Sequence, residues 1–276
     1  MDVHVVVAPV FGTNCCVVVA DTVGADGRRD CVVVDAGAGT AAQVDRVVSD
    51  QDLVPRAVLA THGHVDHTWD AAELCARYGV PLRIHRLDAY RVGDPFGTIG
   101  LGTGGTDGAA GTDGAAGTDG AGGTDGAGGT DGQRDDAGPA ASVSAALVQS
   151  LADYGATPRD FRPPPDVVPF DGAVAAIEAG DVTLRALHAP GHTEGSTLYV
   201  LEPVDRTDDT AGVVLSGDVL FAGGVGRTDL PGADVDAMLG TLRDVVGRLD
   251  PGLVVVPGHG PTTTVRRELD TNPFLG

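Results

Sequence analysis

The sequence predicts an α/β fold in which strands gathered into sheets are covered by helices. Three observations carry this. Short valine-rich runs bounded by turn residues recur along the chain. Segments with helical apolar spacing alternate with them. The whole pattern occurs twice, in two halves separated by a tract that is nearly all Gly, Ala, Thr and Asp. Helix-coated sheets packed face to face satisfy both halves. At 276 residues, 42% of them hydrophobic, the chain can bury a sizeable core in a single domain spanning 1–276. Aromatics make up only 4%, so Val, Leu and Ala must build that core.

In the first half, residues 3–8, 15–20 and 31–34 are short and β-branched, as strands of an antiparallel meander would be. Residues 21–30 hold two Gly and three Asp and form a turn within it. Residues 40–50 have helical apolar spacing, with Thr40 as N-cap. A strand over 56–60 follows. Residues 71–78 then read as a helix stopped by Gly79 and Pro81, and 81–85 as another strand.

From 97 to 141 the pattern collapses. Thr106-Asp107-Gly108-Ala109-Ala110-Gly111 repeats with period six at Thr112, Thr118 and Thr124, with a truncated copy at Thr130. Such a segment buries too little apolar surface to offset its ordering entropy, so a low-complexity, disordered and flexible insertion is expected. Calcium binding is the sharper alternative, but glycine-aspartate repeat helices carry a regular inward-packing apolar residue, and this unit offers only Ala.

The second half repeats the style of the first. Residues 143–154 suit a helix, and Arg162-Pro163-Pro164-Pro165 a stiff connector. Strands are expected at 182–188, 196–201 and 212–215. An amphipathic helix over 233–249 places Met238, Leu239, Leu242, Val245, Val246 and Leu249 on one side. A buried strand at 253–256 and a short helix at 265–269 complete the reading.

The formal net charge is −21, and all 18 basic residues are Arg. An acidic surface repels phosphate backbones and anionic membranes, so neither nucleic acid nor membrane is an expected partner. Bound cations would reverse that sign locally. Cys15, Cys16, Cys31 and Cys75 lack zinc-site or redox spacing and sit among Val and Ala, as buried free thiols do. The N-terminus shows no signal peptide and no apolar run reaches membrane-spanning length, so a cytoplasmic location is expected.

Chemistry concentrates in Thr61-His62-Gly63-His64-Val65-Asp66-His67, where four metal-capable residues occupy six positions. In an extended chain, His62, His64 and Asp66 at i, i+2 and i+4 would point the same way. The apolar run 57–60 just before them places the cluster at the end of a core strand. His192, Asp218 and His259 also follow expected strands and are flanked by Gly, which lets a ligand approach the backbone closely. Five His and two Asp make seven nitrogen and oxygen donors. Such a set suits two borderline metal ions with one carboxylate bridging.

The combination THGHVDH, APGHTEGS, SGDVLF and VPGHG resembles the metallo-β-lactamase superfamily of hydrolases, and more narrowly its glyoxalase II-like, single-domain branch. The flanking Thr13-Asn14-Cys15, Asp35-Ala36-Gly37, Gly226-Arg227-Thr228-Asp229 and Thr271-Asn272-Pro273-Phe274 agree with it. The resemblance implies an αββα four-layer sandwich with the site along one edge of the two sheets. It implies that His62, His64 and His192 hold one ion, that Asp66, His67 and His259 hold the other, and that Asp218 bridges them. The ions expected are two divalent cations, most simply zinc, with iron or manganese as alternatives. They would generate a hydroxide that attacks a thioester carbonyl, with Asp66 as the catalytic residue orienting it and a thiolate leaving. The small-molecule substrate would be a hydroxyacyl-thiol. Unlike two-domain glyoxalase II enzymes, this sequence has no basic C-terminal extension for glutathione and no Lys, which leaves the thiol carrier open.

A mononuclear iron persulfide dioxygenase and a lactone or ester hydrolase are the alternatives on the same fold. A non-catalytic interaction module using the acidic repeat is a third class, and the full set of seven donors argues against it. Among neighbouring residues, Arg227 and Asp229 read as a structural pair, and His188 and His85 as buried rather than ligating. Asp35 is expected to buttress a ligand or cap a helix, and Asn14 to fix a turn.

Overall fold

Alternation along the valine runs decides the layering. In the computed structural model, which describes residues 1–100, 139–202 and 211–276, β1 (Asp2–Val7), β2 (Asn14–Val19) and β3 (Arg29–Val34) form the expected antiparallel meander. Helix α1 (Ala41–Asp50) crosses over and returns the chain as β4 (Leu53–Leu59), parallel to β3. A short helix α2 (Val65–Thr68) and α3 (Ala71–Tyr78) lead to β5 (Leu82–His85), parallel to β4. After α4 (Pro139–Asp153), β6 (Val167–Phe170) closes a six-stranded sheet of order β1-β2-β3-β4-β5-β6.

The second half makes its own sheet. A meander of β7 (Val174–Ala179), β8 (Val182–His188), β9 (Thr197–Leu201) and β10 (Val213–Gly217) is followed by a small ribbon, β11 (Leu220–Phe221) and β12 (Gly224–Val225). Helix α5 (Val235–Asp244) crosses over to β13 (Val254–Pro257), parallel to β10. Then come β14 (Thr263–Thr264) and α6 (Val265–Thr271), giving the order β14-β13-β10-β9-β8-β7.

Because successive strand residues face opposite ways, each central strand feeds two cores. Val17, Val19, Cys31, Val33 and Val58 pack outward against Val44, Ala71 and Leu74 of α1 and α3. Their neighbours Cys16, Val18, Val32, Ala57 and Leu59 face the other sheet, meeting Leu184, Ala186, Tyr199 and Leu215. On the far side Leu198, Val200, Val214 and Val255 pack beneath Met238, Leu242 and Val265 of α5 and α6. The result is the expected αββα sandwich. Each fully buried Val or Leu contributes roughly 1.5–3 kcal/mol of transfer free energy.

Several local expectations change. Thr40 holds the N-cap position of α1, as expected, but its side chain makes no capping hydrogen bond. Its hydroxyl donates to Gly37 O, and the free Ala41 amide is taken by Asp70 Oδ2 at 2.9 Å. Helix α5 stops at Asp244, and Val246–Arg248 is a tight 3₁₀ turn. The β-branched Val245 and Val246 followed by Gly247 are poor helix formers. Leu239, expected on the apolar side, is 54% exposed. At the edges of the compositionally biased tract, Gly97–Ile99 forms a 3₁₀ turn with Ile99 buried, and α4 begins at Pro139. The six-residue repeats lie outside the described residues. Among the described residues, no helix is long and apolar enough to cross a membrane.

Candidate metal centre

The end of β4, Ala57 to Leu59, is buried on both faces, so the next residues emerge at the rim between the sheets. The chain bends at Thr61 and His62 and is extended again at His64 (φ −71°, ψ 150°), which is the N-cap of α2. Of these four expected donors only His64 is extended; His62 sits in the bend, and Asp66 and His67 lie on the helical turn. The expectation of one extended face for His62, His64 and Asp66 fails at both ends, where a bend carries His62 and the helix carries Asp66 toward the centre. His192 follows β8, Asp218 follows β10 and His259 follows β13. Two glycines make this convergence sterically feasible. At Gly217 (φ +48°) a Cβ would lie 2.4 Å from Thr61 Oγ1. At Gly258 it would lie 2.1 Å from Asp218 Oδ1.

All seven candidate donors come together. Ligand atoms of His62, His64 and His192 lie within 4.8 Å of one another, as do those of Asp66, His67 and His259. A third group, His62, His67 and Asp218, joins the two. His64 Nδ1 sits 3.1 Å from His62 Nε2 and 3.0 Å from His192 Nε2. On the other side, His259 Nε2 is 3.3 Å from His67 Nε2 and 3.2 Å from Asp66 Oδ2. Asp218 faces both trios. Its Oδ2 is 3.7 Å from His192 Nε2, and its Oδ1 is 3.3 Å from His67 Nε2 and 3.7 Å from His259 Nε2.

The outer nitrogens fix which inner nitrogens carry lone pairs. Thr61 Oγ1 donates to Asp35 Oδ2 at 2.8 Å, so at 3.1 Å it accepts from His62 Nδ1–H and leaves His62 Nε2 as the free base. His192 Nδ1 donates to Arg227 O at 2.9 Å, and His259 Nδ1 donates to Phe11 O at 3.1 Å. His67 Nδ1 lies 3.0 Å from Asp35 Oδ2, a close charge contact rather than an aligned hydrogen bond. Asp35, buried and itself in the left-handed region (φ 58°), thus braces His67 directly and His62 through Thr61. Of its two expected roles it fills the first; helix capping falls to Asp70. Asn14 does more than fix a turn. Its Nδ2 donates to Pro257 O and Gly260 O, clamping the His259 loop to the first sheet.

Electrostatics divide the trios. Burial holds the His62 imidazole well below its ordinary pKa, helped by the surrounding histidines, and lowers His64 to about 3. Burial also opposes protonation of His67 and His259. The carboxylates outweigh it: Asp35, Asp66 and Asp218 push His67 up, and the hydrogen bond to Asp66 raises His259. Burial would likewise raise Asp66 and Asp218, yet the charge of His67 holds both below the usual carboxylate range.

A divalent ion fits these residues. Asp218 Oδ1 is buried without a hydrogen-bond partner, in a pocket whose other converging atoms are imidazole nitrogens and carboxylate oxygens. The set has no thiolate, since all four cysteines are free and buried elsewhere.

The side chains of the remaining candidates pair with other groups. Arg227 and Asp229 form a two-pronged pair at 2.6 and 2.8 Å. His85 stacks on His188 at 4.1 Å, and His188 Nε2 bonds Glu194 O. Thr61 and the carbonyls of Phe11 and Arg227 are supports that the sequence motifs do not single out. Thr61 adjoins the motif and had a readable signal; a carbonyl's aim has none.

A model of the Metallo-beta-lactamase superfamily matches residues 8–259. An uncharacterised protein of Mycobacterium tuberculosis is 32% identical over 261 residues, covering 94% of this chain and 92% of its own. Hydroxyacylglutathione hydrolase GloC of Haemophilus influenzae is 23% identical over 275 residues, covering 100% and 98%. Among solved structures, TTHA1623 in a di-iron-bound form superimposes with a TM-score of 0.61 at 25% identity, covering the whole of both chains.

Proposed function

The chain belongs to the metallo-beta-lactamase superfamily, and on that premise we propose that it is a dinuclear metal-dependent hydrolase that cleaves a hydroxyacyl thioester. The observation that carries this is Asp218, whose two oxygens face two different three-donor groups. In this reading His62, His64 and His192 hold one divalent ion, Asp66, His67 and His259 hold the other, and Asp218 is shared.

When bound, the pair of ions supplies Lewis acidity and a water acidic enough to act as nucleophile near neutral pH. The chain's own residues do the rest. The lone pairs of His62, His192 and His259 are aimed inward because Thr61, Arg227 O and Phe11 O occupy their outer nitrogens. Asp66 is the one carboxylate of the second trio. It would accept a hydrogen bond from the attacking water and so orient it. The cysteines are poor competitors as nucleophiles: burial pushes the Cys31 and Cys75 thiols up to about 12 and those of Cys15 and Cys16 further. A thiolate leaving group needs little protonation, since thiols ionise near pH 8.5. The GloC relative supports a hydroxyacyl-thiol. Zinc suits the all-nitrogen-and-oxygen donor set, as does iron, the metal of the TTHA1623 form.

The test is metal analysis combined with a screen of acyl-thiol substrates before and after chelation. Two ions per chain and chelator-sensitive thioester cleavage are expected. Hydrolysis that survives complete metal removal overturns the reading. One iron per chain with oxygen uptake replaces it with the dioxygenase reading.

A further inference from the structure

Beneath the three-histidine group lies a buried charge cluster that none of the donors includes. Asp88 ends the 3₁₀ turn Arg86–Asp88 after β5 and is fully buried. Its Oδ2 accepts from Gly63 N at 2.8 Å and from Thr193 Oγ1 at 2.7 Å. Its Oδ1 accepts from Gly195 N at 2.7 Å. Gly63 sits between His62 and His64, and Thr193 and Gly195 directly follow His192. One carboxylate therefore ties together the two loops that carry all three histidines, one loop from each sheet.

Arg91, also fully buried, is its counter-ion, with Nε 3.5 Å from Asp88 Oδ1. It grips the same second loop. Its Nε donates to Glu194 Oε2 at 3.2 Å, and its Nη2 bonds both Glu194 and Pro231 O, the latter at 3.0 Å. The loops are shaped to close on this pair. A Cβ at Gly63 would lie 2.6 Å from Arg91 Cβ, and one at Gly195 would lie 2.7 Å from Asp88 N. A buried ion pair is a poor source of net stability, because desolvation offsets most of the Coulombic gain. Its residues are better explained by the geometry they impose.

We infer that Asp88, with Arg91 as counter-ion, is a positioning residue that sets the spacing of His62 and His64 against His192, and so the affinity of the first ion but not of the second. The inference rests on the two-ion reading. All three partners of Asp88 are donors, so an amide in its place turns an NH₂ toward one of them and releases a loop.

The test titrates metal-free protein with cobalt(II), following its absorption spectrum. The wild type is compared first, then two backgrounds, His259→Ala, which retains the three-histidine group, and His64→Ala, which retains the second. Asp88→Asn is expected to weaken cobalt binding about 10- to 100-fold in the His259→Ala background, and less than about twofold in the His64→Ala background. Thr193→Val, which removes one of the three donors, shifts affinity the same way by less; it decides the matter if Asp88→Asn does not fold, and Thr193→Ser restores binding. Equal weakening in both backgrounds, or none in the first, overturns the inference while leaving the two-ion reading intact. A wild-type chain that takes up fewer than two cobalt ions defeats that reading instead.

Discussion

The two halves of the chain reach one centre by different routes. The first supplies four donors from the six positions His62 to His67, all after one strand. The second supplies three, one each from the ends of β8, β10 and β13. Their supports differ in the same sense. The first half orients His62 and His67 with side chains, Thr61 and Asp35. The second half's histidines are held by main-chain carbonyls, those of Arg227 and Phe11. A side-chain brace can be lost by one substitution. A carbonyl brace is a property of the backbone path and persists whatever side chain is attached. Local clustering thus makes a set of ligands easy to assemble and easy to disable. Dispersal ties it to the fold as a whole.

Four experiments can break or sharpen this contrast. The largest effect is expected at Asp218, where the halves share a donor. Asp218→Ala should leave neither ion tightly held and lower hydrolysis by more than the roughly 100-fold upper range for losing an outer brace, checked by metal content and rate together. Next, Asp35→Asn should weaken metal binding about 10- to 100-fold, whereas Arg227→Ala, whose carbonyl remains, should change it less than about twofold. Similar losses in competition titrations would erase the contrast.

A smaller effect concerns the second half's own clasp. Burial raises the Glu268 carboxyl, but hydrogen bonds from Thr263 Oγ1 (2.6 Å), Gly223 N (2.8 Å) and Asn272 Nδ2 (2.8 Å) outweigh it and hold it below its ordinary value of 4.5. A carboxyl lowered by folding contributes stability that is complete above the unfolded pKa and lost as the pH falls through the folded one. Melting temperature should therefore drop below pH 4.5 more steeply in the natural protein than in Glu268→Gln, with parallel curves above pH 6. The smallest effect is expected from deleting residues 102–136, the repetitive tract between the halves. Metal content and hydrolysis should stay within about twofold of the intact chain, as the tract's composition leads one to expect; a large loss would give the tract a role at the site.

Much of this was legible in the residues. Helix α3 and strand β8 fall where the spacing of apolar residues and Gly79 put them, and the seven candidate donors that converge stood out because Gly-flanked His and Asp at strand ends are unusual. Other features were hidden for identifiable reasons. Strand β6 contains Pro169, and β7 alternates Ala with Val, Ile and Glu too weakly to stand out. The two-residue strands β11, β12 and β14 are too short for any periodicity. The Asp70 cap on α1 comes from 29 residues away, whereas local cap signals favour Thr40. Arg91 looks like a solvated arginine beside Tyr90; its burial depends on Glu194 and Pro231, more than 100 residues later.

The position of the seven donors has a consequence for the life of the unfolded chain. They straddle both sheets, and the four cysteines are free, so a bound ion would be the crosslink that joins the halves. Ion binding to the native state alone is linked to unfolding by mass action: at a free concentration 100 times the dissociation constant, each such ion adds about 2.7 kcal/mol. Metal supply would then govern how long the chain survives proteolysis as well as whether it turns over substrate, and starvation for the ion would remove the protein along with its activity.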